Sequence, residues 1–128
     1  MIALFLFFTG LVFIGVGIFG VMSPEALLAP VALKIENLSS MNQMRASAGG
    51  VPLLTGLFMC YAAFRKSLKI PALWLVTILL GGLTLGRIIS MVVDGMPPSV
   101  NLWFMAAEVF GLVQAVFWLR VAQEFEAD

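Results

Sequence analysis

Four predominantly apolar stretches, each about twenty residues long, succeed one another along this chain and restrict its fold more than any other feature. They run from about Ile2 to Met22, Asn42 to Phe64, Pro71 to Val93 and Val100 to Val121. A helix rising about 1.5 Å per residue needs about twenty such residues to cross a hydrocarbon core. Composition points the same way. Of the 128 residues, 62% are hydrophobic and 11% charged, whereas soluble domains run near half apolar and a quarter charged. So short a chain has too little interior to hide that surplus. The excess must face lipid, and the expected fold is all-α: an integral membrane four-helix bundle of antiparallel up-down topology, forming one transmembrane domain over residues 1–128.

The punctuation between the spans fits this reading. Met1 to Pro24 carry no charged side chain. Without a basic leader or a small-residue cleavage site, the first stretch reads as a retained span rather than a cleaved signal. Ser23-Pro24-Glu25 has the marks of a helix start: a capping residue, a proline at the first position and an acid in the first turn. Pro30 interrupts that helix, so Ser23 to Ser40 is expected to form a short kinked interfacial segment with Leu27, Leu28, Val31 and Ile35 dipping into lipid. Ser39 and Ser40 are candidate caps for the second span. Pro71 stands where the third begins, Asp94-Gly95 ends it, and Pro97-Pro98-Ser99 turns the chain into the fourth. The acidic end, Glu124 to Asp128, is expected to be solvated.

Arg65, Lys66 and Lys69 cluster between spans two and three, while the first loop holds Lys34 and the last loop no basic residue. Basic loops stay on the cytoplasmic side, which places both termini there and the loops around residues 23–41 and 94–99 outside. Trp74, Trp103 and Trp118 lie near predicted span ends, where amphipathic rings settle at the interface.

Charge and residue usage exclude several functions. Seven basic and seven acidic residues cancel, so the basic footprint of a nucleic-acid binder is missing. Histidine is absent and Cys60 is the only cysteine, which leaves no internal disulfide and no Cys/His metal site. No cofactor and no metal are expected.

In lipid, helices associate by close backbone approach and polar contacts. Small residues at helical spacing mark the candidate faces. Gly10, Gly17 and Gly20 share one on span one, with Ala46 and Gly50 on span two, Gly82 and Gly86 on span three, and Ala107, Gly111 and Ala115 on span four.

Charged residues inside the spans are the informative minority. Arg45, Arg87, Asp94 and Glu108 each sit in or at the end of an apolar stretch, where a charge costs roughly 2.5–3.5 kcal/mol at the bilayer centre. Such groups need partners or water. Arg87 and Glu108 stand about ten residues either side of Pro97-Pro98, so in a helical hairpin they share a depth and can pair. Asp94 and Asn101 mirror each other in the same way. Arg45 enters from the same end of span two and could join them, with Asn42, Gln43, Ser47, Ser90 and Gln114 supplying further donors and acceptors. Three roles stay open: an ion pair that fixes helix register; a polar pocket for a lipid head group, a quinone or a small anion; or acid/base chemistry at Glu108, which lacks a second catalytic group.

The stretch Asn42-Gln43-Met44-Arg45-Ala46 with Gly49-Gly50 resembles a motif in a bacterial family of small four-span membrane proteins. So do Gly86-Arg87-Ile88-Ile89-Ser90 leading to Asp94-Gly95, Glu108 in the last span, and the Ser23-Pro24-Glu25-Ala26 start of the first loop. The family is known only as a domain of unknown function, number 4345, and the resemblance covers nearly the whole chain. It implies a four-helix architecture and a bacterial inner-membrane location, and brings no activity. Its pattern often has an acid where this chain has Gln43 and an aromatic where it has Ala48, which takes away an acidic role for position 43. The motif residues are Arg45, Gly49, Gly50, Arg87, Asp94 and Glu108.

The leading expectation is a small non-enzymatic membrane protein, an accessory or stabilising subunit of a larger complex, in contact with membrane lipids, other subunits or further copies of itself. The alternative is a binder of a lipid, quinone or other hydrophobic small molecule at an outer-leaflet polar pocket, with or without catalysis there. A cavity beside Arg87 and Glu108 distinguishes the second from the first.

Overall fold

The computed structural model describes the backbone of residues 1–127 and the side chains of residues 1–124. The acidic end beyond Glu124, which is itself exposed, therefore lies outside the described side chains. Among the described residues there is no strand. Four helices are long and apolar enough to cross a membrane: Ile2–Met22, Leu38–Ala63, Lys66–Asp94 and Ser99–Glu124. The chain is an all-α membrane protein. It divides into two compact units, Met1–Leu68 and Lys69–Asp128.

The first unit opens with α1, Ile2–Met22, apolar on every side. A helix satisfies its own backbone groups, the one way a single segment of this composition can cross lipid. The buried residues of α1 are Leu6, Gly10, Gly17 and Gly20. Ser23 closes the helix by donating its N–H to the Phe19 carbonyl at 2.8 Å. A five-residue helix α2, Pro24–Leu28, follows and passes into a 3₁₀ turn at Ala29–Val31. Pro24 and Glu25 occupy the expected first turn, although the Ser23 side chain makes no capping bond. The turn ends at Ala32, which adopts a left-handed φ of 56°. Leu27, Leu28, Val31 and Ile35 are half-buried, and α2 packs on α1. This side of the segment is turned in part toward its own unit.

The second span starts at Leu38, four residues before the expected Asn42. Its cap is Asn37, whose side-chain oxygen accepts from the Ser40 N–H at 2.9 Å. Ser39 and Ser40 are inside the helix and cap nothing. Asn37 is the cap because the backbone is extended there, at φ −154° and ψ 173°, which lets its side-chain oxygen reach the third N–H of the helix. Helix α3, Leu38–Met44, then widens into a π-helical turn, Arg45–Gly50, before α4, Val51–Ala63. Pro52 accounts for the widening. Its ring cannot donate to the Ala48 carbonyl four residues earlier, and would crowd it in a regular helix. The π turn shifts the bond pattern by one residue, with the Val51 N–H bonded to the Ala46 carbonyl.

Helix α1 lies against α4 and the π turn, and glycines set how close it comes. A Cβ at Gly10 would sit 2.7 Å from the Cys60 sulfur and 2.8 Å from the Gly56 carbonyl oxygen. One at Gly17 would run into the Leu53 backbone, and one at Gly20 into the Ala48 carbonyl. These contacts pair rising numbers on α1 with falling numbers on α4. The facing small residues are Gly49 and Gly56, both buried. Ala46, expected at this contact with Gly50, is exposed, and a Cβ at Gly50 would meet only the Arg45 carbonyl, at 3.8 Å.

The second unit is a pair of long helices, α5, Lys69–Asp94, and α6, Ser99–Ala127. Gly95, at φ 96°, turns the chain out of α5, a conformation that favours glycine. The buried side chains are Ala72, Leu73, Val76, Leu80 and Thr84 on α5, and Ala115, Leu119 and Ala122 on α6. Leu73, Val76, Leu80 and Thr84 on α5, flanked by Ala72, and the three residues on α6 each follow steps of three and four and so share a face. Gly111 touches α5, since a Cβ there would fall 2.8 Å from a Leu80 methyl. Gly82 and Gly86 are exposed, with nothing within 4 Å of an added Cβ. Close packing in this pair thus runs through Leu80 and Gly111, on the opposite side of α5 from Gly82. Ala107 is exposed as well.

Candidate functional site: the Arg87–Glu108 cleft

Arg87 lies two turns from the end of α5, and Glu108 lies in the third turn of α6. The chain reverses at Gly95–Pro98, so residues equally far from that turn come level. The side chains meet in a bidentate pair. Arg87 Nε donates to Glu108 Oε2 at 2.7 Å and Nη2 donates to Oε1 at 2.9 Å. The planar guanidinium fork matches the two carboxylate oxygens, a geometry lysine cannot reproduce. The arginine side chain is 29% exposed and the glutamate 13%, so the carboxylate is the more deeply set of the two.

Beside the pair is a small cleft of about 70 Å³, lined by Arg87, Ser90, Met91, Pro97, Asn101, Leu102 and Met105. Arg87, Ser90 and Asn101 give it a polar side, and the two methionines, Leu102 and Pro97 an apolar one. Ser90 Oγ donates to Asp94 Oδ2 at 2.9 Å, one turn along α5. Asp94 is therefore held by its own helix and not by Asn101, its mirror residue. Ser90 keeps its oxygen lone pairs, and among the described residues no hydrogen bond engages the Asn101 amide or Arg87 Nη1.

Arg45 belongs to the first unit, where it opens the π turn and is exposed, with Asn42, Gln43 and Ser47 also exposed nearby. Ser47 Oγ bonds back to the Gln43 carbonyl at 2.8 Å, a local bond of the kind serine makes inside helices. Gly49 is buried against α1 and Gly50 is not. Among the described residues no three metal-ligating side chains come together.

Sequence reasoning missed the cleft's apolar wall and the Ser90–Asp94 bond. A signal for both was present. Asn101, Met105 and Glu108 follow steps of four and three, as do Arg87, Ser90 and Asp94, so each helix carries one stripe toward the turn. The π turn had its signal in Gly49-Gly50-Val51-Pro52, a proline in mid-span.

Residues 1–119 match the profile of a protein family described as Domain of unknown function (DUF4345). No curated protein matches the chain. No solved structure matches it either.

Proposed function

The chain belongs to the DUF4345 family, and from that premise we propose that it is a non-enzymatic membrane protein whose second helical pair binds the polar head of a membrane-resident amphiphile. The observation that carries this reading is the cleft against Arg87, with an arginine already held flat by Glu108, the Asn101 side chain beside it, and Ser90 keeping its oxygen lone pairs while its hydroxyl donates to Asp94. A register-fixing ion pair needs no such space. The apolar wall of Met91, Leu102 and Met105 suits the chain that follows a head group. Among the described residues Glu108 has no titratable partner in hydrogen-bond reach other than Arg87, which speaks for binding over acid/base catalysis.

We place the protein in a bacterial inner membrane with both termini cytoplasmic, from the basic residues Arg65, Lys66 and Lys69. The cleft then opens toward the outer leaflet. One observation favours the subunit reading as well: Gly82 and Gly86 leave a flat exposed strip on α5, the kind of surface another membrane helix or a second copy approaches closely.

Extraction in mild detergent followed by native mass spectrometry tests both. A small-molecule adduct lost on Met105→Trp supports the binding reading. A co-purifying membrane complex lost on Gly86→Leu, with no such adduct, would replace it with the subunit reading.

A further inference from the structure

The charges around the cleft determine what kind of head group it can take. Between Pro71 and Leu119 the chain has one basic residue, Arg87, and two acids, Asp94 and Glu108. Arg87 is neutralised by Glu108 through two charge-assisted bonds. Asp94 makes no ion pair among the described residues and bonds only to the Ser90 hydroxyl next to the cleft. The turn end of this helix pair therefore carries one net negative charge.

An anionic head group would meet two obstacles. It would be repelled by the Asp94 carboxylate, which is bonded to the cleft-lining Ser90. Bound through the free Arg87 Nη1, it would also share the single guanidinium charge with Glu108, a carboxylate that is only 13% exposed. An uncharged head meets neither. Arg87 Nη1 and the Asn101 amide offer donors, and Ser90 Oγ and the Asn101 carbonyl offer acceptors. This set suits a carbonyl or a hydroxyl.

We propose that the Arg87–Asn101 cleft selects an uncharged carbonyl- or hydroxyl-bearing amphiphile and rejects anionic lipids. The proposal rests on the binding reading above. The shared chemistry admits two sources, a diacylglycerol or a quinone, and the probes separate them.

The purified full chain in mild detergent is incubated in parallel with dioleoylglycerol, decylubiquinone and dioleoylphosphatidylglycerol, and adducts are read by native mass spectrometry. The expected result is an adduct with one of the two neutral probes, lost when Met105→Trp fills the cleft and reduced in Asn101→Ala, which keeps the fold in play if the tryptophan variant fails to assemble. Which neutral probe it is identifies the source. Phosphatidylglycerol should bind no better to the native chain than to Met105→Trp. In Asp94→Asn its retention should rise several-fold relative to that of the neutral probe, because a unit negative charge bonded to the cleft-lining Ser90 is removed. Phosphatidylglycerol retained by the native chain and lost in both cleft variants overturns the selectivity and leaves the binding reading standing. No adduct sensitive to either cleft variant overturns both.

Discussion

Arg87 and Glu108 are 21 positions apart in sequence and share two parallel hydrogen bonds, at 2.7 and 2.9 Å, across the turn that joins their helices. Removing one partner strands the other in an apolar setting, which for buried pairs costs roughly 3–5 kcal/mol. With Arg87 29% exposed, the lower end of that range applies. Arg87→Met and Glu108→Gln should each lower the melting temperature in detergent. The double variant Arg87→Met with Glu108→Leu should recover most of the loss, since neither charge is then left alone. Additive losses in a double-mutant cycle would show that the two bonds do not couple the residues energetically. Recovery of stability without recovery of ligand binding assigns the pair to the cleft.

That pairing was legible because a helical hairpin turns sequence distance into depth. Once Pro97-Pro98 is taken as the turn, Arg87 and Glu108 are level. Span one was legible to its ends, Ile2 and Met22, because uniform apolarity bounded by Ser23-Pro24 leaves no choice. Packing faces were half legible. Gly10, Gly17 and Gly20 do form the α1 contact, but Gly82 and Gly86 have the same spacing and face outward. A small-residue stripe tells where a backbone can be approached, and not whether anything approaches it. The start of span two was misplaced because Asn37, Ser39 and Ser40 compete as caps and only the backbone path selects among them. The π turn follows from Pro52, a local clash that hydropathy does not register.

The contrast between glycines can be measured directly. Gly17→Leu should destabilise the first unit, because the new side chain starts inside the space of the Leu53 backbone. Overpacking typically costs 1–3 kcal/mol, and about the upper end is expected where the obstacle is backbone. Gly86→Leu should leave detergent stability within about 0.5 kcal/mol of the native chain, as exposed substitutions do. A large loss in Gly86→Leu accompanied by a change in oligomeric size would mean that the exposed strip is covered by another chain.

Orientation makes a separate prediction. A reporter inserted beside Ser67, among Arg65, Lys66 and Lys69, should read cytoplasmic, as should one fused at the C-terminus. A reporter at Met96, in the turn beside the cleft, should read periplasmic. If the Met96 fusion reads cytoplasmic, the cleft opens to the inner leaflet and the assignment from basic residues is wrong.

The last prediction concerns Pro52. Replacing a proline in a helix interior by alanine usually stabilises, because the missing N–H returns and about 3 kcal/mol of helix penalty is lifted. Here the gain is offset. In Pro52→Ala the restored N–H can bond the Ala48 carbonyl, the π turn at Arg45–Gly50 closes to a regular helix, and one residue is removed from the widened turn. Removing one residue of widening changes the helical phase by about 100° between α4 and the segment before the turn, and the residues of the turn itself, Gly49 among them, take up part of that rotation. That rotation carries Gly49 away from Gly20 and Val21, which it now touches at distances only a glycine permits. The expected outcome is a melting temperature unchanged or lowered, together with a changed labelling pattern. In a Cys60→Ser background with Pro52 kept, a maleimide should react quickly at Ala46→Cys, which is exposed, and more slowly at Ala48→Cys, which is half-buried. With Pro52→Ala added, the two rates should converge or invert. A stabilised protein with the native labelling pattern would mean that the Gly20–Gly49 contact holds the π turn without help from the proline ring.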